Sequence, residues 1–149
     1  MGTVRATSIA TGSVVNADIA TGAAIETSKL VHQHVFSIDF NFDDSDTPTT
    51  KEMTFYCPTG QSTIKEAKAL LVDTGSSTAI SFDLEISGTT CLTATIDFTN
   101  SDANLTPKTG TLASTTVNAG QYLTAIMTVT SATGATGGKM QIVVDSPFV

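Results

Sequence analysis

From residue 35 onward, apolar and polar side chains alternate with a period of two. In "VFSIDFNFDD" (residues 35–44), Phe36, Ile38, Phe40 and Phe42 fall on one face and Ser37, Asp39, Asn41 and Asp43 on the other. "TAISFDLEIS" (78–87) turns Ile80, Phe82, Leu84 and Ile86 inward, and "CLTATIDFT" (91–99) does the same with Leu92, Ala94, Ile96 and Phe98. Alternation over this length predicts half-buried strands. The short "SGTT" (87–90) between the last two predicts an antiparallel hairpin. Further strands are expected over 52–57, 63–72, 110–117, 122–130 and 139–145, although "TIKEAKAL" also fits a helical turn. The connections "DTPTT", "CPTGQ", "DTGSS", "NAGQ" and "SATGATGG" carry turn chemistry. Eight or so short strands with turns between them predict an all-β, antiparallel β-sandwich or jelly roll over residues 35–149.

Residues 1–34 differ in kind and are expected to form an extended N-terminal arm. They contain no aromatic residue before the two histidines, and "IATGSVVNAD" (9–18) is followed by the similar "IATGAAIETS" (19–28). Apolar or small residues recur near every fifth position, at Ile9, Val14, Ile19 and Ala24. On a helix each step of five drifts by about 140°, and on a strand it changes face. Such a segment cannot build a core alone. It becomes ordered by pressing its aliphatics against copies of itself or a larger surface, and otherwise stays an Ala/Thr-rich tail.

Composition narrows the function classes. A chain of 149 residues suits one domain, and its wealth of Thr favours strands. Seven Lys and Arg face 14 Asp and Glu, for a net charge of −7. So little positive charge cannot neutralise a row of phosphates, which argues against nucleic acid as a partner. No apolar run approaches a membrane span, and the opening "MGTVRATSIATG" has neither an apolar signal region nor a myristoylation pattern. Cys57 and Cys91 lack CxxC spacing and do not make a disulfide framework, so two reduced, partly buried thiols are expected.

Three stretches invite chemistry. Asp73-Thr74-Gly75 in "ALLVDTGSS" resembles the catalytic turn of retroviral-type aspartic proteases. One such triplet per chain would require a homodimer, because the acid and base arise from two carboxylates sharing a proton. Those enzymes carry a supporting hydrophobic-hydrophobic-Gly strand downstream, where this chain has the polar "TVTSATGATGGK". The triplet is therefore read as a turn between two strands. Asp39, Asn41 and Asp43 copy the opening of an EF-hand loop, but Asp44 and Thr50 stand where that loop needs Gly and Glu. His32 and His34 lie on one side of an extended segment with no third ligand nearby in sequence. "NLT" at Asn104 matters for glycosylation only in a secreted eukaryotic protein. The sequence thus predicts no catalytic residue, metal or cofactor, and no enzyme.

"SVVNADIATGAAIETSKL" (13–30) resembles the "NAD-I … AAI … SKL" segments that recur in tailed-phage tail fibres and capsid decoration proteins. The span 55–144, with "IKEAKALLVDTG", "SFDLEISGTTCLTATIDF" and "VNAGQYLTAIMTVTSATGATGGKMQIVV", is similar in pattern to β-sandwich modules of the same proteins. The resemblance implies a structural virion protein, a homotrimeric capsid decoration (cement) protein on the outer surface of a phage head. Its partner would then be the major capsid protein. A receptor-binding or fibre module of head or tail is the alternative, and a homodimeric protease is remote. Within the decoration reading, Ile9, Val14, Ile19, Ile25 and Leu30 would supply the trimer or capsid contacts.

Overall fold

A computed structural model describes residues 31–43, 49–56 and 58–147. The contact candidates Ile9, Val14, Ile19, Ile25 and Leu30 lie outside the described residues, as do Asp44 and Cys57. The described chain forms ten strands: β1 (Val31–Phe40), β2 (Thr49–Tyr56), β3 (Ser62–Asp73), β4 (Ser77–Ile86), β5 (Thr89–Thr90), β6 (Ile96–Thr99), β7 (Lys108–Thr109), β8 (Thr116–Val117), β9 (Leu123–Thr133) and β10 (Thr136–Pro147). No helix occurs among the described residues.

The pairings nest inside one another. β1 pairs with β10, β2 with β9, β3 with β7 and β8, and β4 with β5 and β6, all antiparallel. Two further ladders, β10 on β3 and β9 on β4, complete the sheets. One sheet therefore runs β1-β10-β3 with β7 and β8 at its far edge, and the other β2-β9-β4 with β5 and β6. A long antiparallel ribbon wrapped so that successive strands alternate between two sheets is a jelly roll, as the alternation predicts.

The inward residues of both sheets meet in one core. Phe82 lies at its centre, with Phe40 of the facing sheet 5.9 Å away and Phe98 5.7 Å away, both edge-on. Gly138 of β10 makes room for this group, because a Cβ there would stand 2.9 Å from Phe82 Cζ and 2.5 Å from Met127 Sδ.

Several local expectations need correcting. β1 begins at Val31, so His32 and His34 belong to a strand of the sandwich. "TIKEAKAL" is strand, as expected over 63–72, and the helical alternative falls away. A bulge opposite Val143 and Val144 turns both Ile64 and Ala67 inward, and this three-residue step imitates helical spacing. "CLTATIDFT" is not one strand. Leu92 forms an isolated bridge with Leu112, Ala94 is exposed, and regular pairing begins at Ile96. The 110–117 strand is broken likewise, into the Leu112 bridge and β8, with β7 just before it.

Both breaks have one cause. Cys91 O accepts hydrogen bonds from Ala113 N (2.7 Å) and Ser114 N (3.1 Å), and Thr93 N donates to Thr111 O (2.8 Å). These rungs join the far edges of the two sheets and close that side of the sandwich. The hairpin at Ser87-Gly88 is present, with φ of 49° and 81° at its two central residues, as a two-residue primed turn requires.

Candidate functional site

Asp73 ends β3, and β4 lies in the other sheet, so "DTGSS" is a crossing between layers and not a hairpin. Asp73 Oδ1 accepts from Gly75 N at 2.9 Å, closing the turn on itself. Thr74 is buried, its amide donating to Asn104 Oδ1 at 2.8 Å. Its hydroxyl is shared between Asn104 Oδ1 (2.9 Å) and the Asp102 carbonyl (3.0 Å). Gly75 has φ +62°, and a Cβ there would stand 2.3 Å from the Thr133 carbonyl oxygen. Each residue of the triplet thus has a scaffolding task, and Asn104 acts as the acceptor that fixes the crossing.

The other candidates are also tied into local structure. Asp39 pairs with Lys139, and the Asn41 carbonyl accepts from Lys51. Among the described residues, no three His, Cys, Asp or Glu side chains converge as metal ligands would. His32 and His34 stack with ring centroids 6.4 Å apart, and His34 continues the row onto Phe36 at 6.1 Å and Tyr56 at 6.3 Å. Cys91 is a free, buried thiol. Burial, followed by the nearby Asp83 carboxylate, pushes its pKa up to about 12, so it is no nucleophile at neutral pH. On the outer face of the β1-β10-β3 sheet, Lys139 faces Asp39, Lys65 faces Asp145 (3.7 Å) and Lys68 faces Glu66 (2.7 Å). No described helix is long and apolar enough to cross a membrane.

The feature that stands out is the side of the sandwich bounded by β1 and β2. These are the edge strands of the two sheets, ten and eight residues long. The opposite edges are cut into pieces of two to four residues and laced together by the 91–93 and 111–114 rungs. Short strands and covered edges prevent stray pairing, whereas long edges invite it. β1 also lacks Lys and Pro along its whole length.

Here the core-facing side chains reach solvent. His34 and Phe36 share a face with buried Ile38 and Phe40, yet His34 is exposed and Phe36 half-buried. Met53 sits opposite buried Ala125 and is nevertheless 44% exposed. A register shift between Thr54 and Tyr56 sets both Phe55 and Tyr56 against Phe36, at 5.1 Å each. The result is an open apolar mouth, lined by His34, Phe36, Met53, Phe55 and Tyr56. Of these, sequence reasoning singled out His34 as a ligand candidate and Phe36 as core. The signal for the others was "MTFY", where two consecutive aromatics interrupt the alternation.

No protein-family profile and no curated protein sequence matches this chain. Among solved structures, it is similar to a chain of the cyanophage Pam1 capsid asymmetric unit, with a TM-score of 0.52 and 16% identity over 93% of this chain and 99% of that one. A chain from Bacillus endospore appendages, described as disulfide-linked pili, aligns with a TM-score of 0.41 and 14% identity over 80% of this chain and 89% of that one. A chain of infectious bursal disease virus gives 0.29 and 8% over 81% and 41%. The last two superpose too loosely to inform the fold; the first agrees with the jelly roll.

Proposed function

We propose that this chain is a structural virion protein, a decoration (cement) protein that sits on the outer surface of a phage head as a homotrimer and braces the shell. The observation that carries the proposal is the fold likeness to a chain from a phage capsid, which spans 93% of this protein and 99% of that chain. Two chains matched over nearly their full lengths are alike in size as well as fold. The tied-down candidates for catalysis and the resemblance of residues 13–30 to segments of phage virion proteins favour the same reading.

The physical role follows from what a shell must resist. Packed DNA pushes capsid subunits apart, and a rigid body bound across several of them adds interface that must be lost before they separate. The sandwich is the rigid body. The arm residues Ile9, Val14, Ile19, Ile25 and Leu30 supply contacts between subunits, and the major capsid protein is the partner. Ordering the arm costs entropy, offset when its aliphatics are buried.

The test is to find the protein on its own particle. Electron microscopy of virions, with a tag on the C-terminus, should reveal label over the head in clusters of three. Label confined to the tail would replace this reading with the fibre or receptor-binding one. Removing residues 1–30 should leave a folded sandwich that no longer decorates heads; undiminished decoration would remove the arm from the mechanism.

A further inference from the structure

We propose that the hollow beside the β4–β5 hairpin, on the laced side of the sandwich, binds a neutral saccharide. The site lies on the chain itself, so the inference goes beyond the decoration reading and holds for a monomer or a trimer alike. The hollow measures about 360 Å3, within the roughly 300–1,000 Å3 of small-ligand sites. Its walls carry Thr89, Thr90, Ser114, Thr116, Asn118 and Gln121, and the buried Ile86 and Cys91 form its floor. Among the described residues, no charged side chain lines it.

The polar groups are held in place and still available. Cys91 O accepts from Ala113 N and Ser114 N, which fixes the two walls against each other. The turn at 118–121 is locked by Gln121 N donating to Asn118 O (3.0 Å) and Asn118 N donating to Gln121 Oε1 (2.8 Å). Gln61 Nε2 donates to Asn118 Oδ1 at 3.1 Å. Both side-chain amides are thus anchored through their oxygens, which leaves their NH2 groups as donors. Among the described residues, neither NH2 group has a hydrogen-bond partner, nor has the hydroxyl of Thr89, Ser114 or Thr116. Groups fixed in this way lose little freedom when a ligand arrives.

The lining selects the ligand. An apolar molecule would bury these donors and acceptors unpaired. An anion meets no positive side chain here, and the chain as a whole carries −7. A cation meets no carboxylate on the lining, and the nearby Asp83 already accepts from the Thr90 hydroxyl and the Leu84 amide. An extended peptide docks along free backbone groups, whereas this side of the sandwich has its 91–93 and 111–114 backbones bonded to each other. What fits is a neutral ligand whose own groups donate and accept at close spacing, as the vicinal hydroxyls of a sugar do. Its C–H face can rest on Ile86. Tyr122, next to Gln121 and 42% exposed, is tied to the hairpin by Ser87 N donating to its carbonyl at 2.9 Å, which puts an aromatic ring beside the site.

The experiment titrates the full-length, isotope-labelled chain with glucose, galactose, mannose, N-acetylglucosamine and N-acetylgalactosamine, each as monosaccharide and disaccharide, and follows amide shifts by NMR. With at least one sugar, saturable shifts are expected, centred on Thr89, Thr90, Ser114, Thr116, Asn118 and Gln121. Thr116→Trp fills the hollow from an exposed strand position and should weaken that binding at least tenfold while leaving the β-sheet circular dichroism unchanged. Thr116→Val removes only a hydroxyl at the same size, keeps the test alive if the Trp variant misfolds, and should weaken binding severalfold. No saturable shift with any of these sugars, shifts centred elsewhere on the sandwich, or undiminished binding by the folded variants would each overturn the site. Glucuronate or a tetra-alanine peptide saturating the same amides while no neutral sugar does would overturn the ligand class. None of these results touches the decoration reading, which labelling of the head tests separately.

Discussion

Replacing Asn104 with alanine removes the acceptor that holds the β3–β4 crossing. Thr74 is 5% exposed, and its amide would lose its 2.8 Å partner. Its hydroxyl would keep the Asp102 carbonyl at 3.0 Å. Stranding one buried donor costs about 1–3 kcal/mol. Asn104 itself is exposed, so water can enter where its amide was, and the lower half of that range applies. With roughly 4 °C of Tm per kcal/mol for a domain of this size, the fall should be about 4–8 °C. Asp73→Asn is the matched control. An asparagine carbonyl can accept from Gly75 N just as Asp73 Oδ1 does, so the change should stay within about 0.5 kcal/mol. Thermal unfolding followed by circular dichroism measures both. If Asp73→Asn costs as much as Asn104→Ala, or if Asn104→Ala is neutral, the scaffolding account of this turn is wrong.

Three other outcomes follow from the packing and the charges. Gly138→Ala drives a Cβ to within 2.5 Å of Met127 Sδ and 2.9 Å of Phe82 Cζ, and should lower stability by about 1–3 kcal/mol in urea unfolding; an unchanged midpoint would mean Met127 swings aside at no cost. In a Cys57→Ser background, Cys91 should resist alkylation at pH 9 in the native protein and react readily in urea, because its folded pKa of about 12 keeps the thiol protonated. The same shift carries a sign: its stabilisation is complete below the unfolded thiol pKa, ~8.5, and is lost as pH rises towards the folded value. Asp102 is held below the usual carboxylate range, first by the hydrogen bond from Lys108 and then by the Thr99 amide. It therefore stabilises the fold above pH ~3.9 and stops doing so as acid protonates it. Lys108→Met, which can keep apolar contact with the Phe98 ring that Lys108 covers at 4.8 Å, should flatten that part of the Tm-versus-pH curve.

How much of this was legible beforehand depended on whether a local pattern and a distant contact agreed. Phe36 to Phe42, and Ile80 to Ile86, alternate because they line a face packed on one side, and their strands stand where expected. The pattern failed where geometry intervened from elsewhere. A bulge set by β10 turned Ile64 and Ala67 to the same face. Backbone hydrogen bonds from residues 113 and 114 pulled Cys91 out of line with Ile96. The residues "DTGSS" suit a hairpin and an inter-layer crossing equally well, since both need a tight turn; which one forms is decided by the partners of β3 and β4. The apolar mouth was hidden for a related reason. Phe36 reads as an ordinary core residue, and its partial exposure, like that of Met53, reflects the absence of a further strand beyond each edge among the described residues.

The nested ladder also orders events during synthesis. β4 finds β5 across a two-residue turn, but β1 has β10 as its in-sheet partner, with Val31 facing Pro147 and Phe40 facing Gly138. On a ribosome, the first two of the described strands to emerge are therefore the last of them to be paired, waiting while nearly all of the remaining described domain is made. Contacts so distant along the chain form slowly, and unpaired apolar strands are prone to join other chains while they wait. The strand that stays exposed longest is the one that carries the mouth's histidine and Phe36. Nascent copies held close together on one message would thus have the opportunity to meet through that edge before either sandwich has closed.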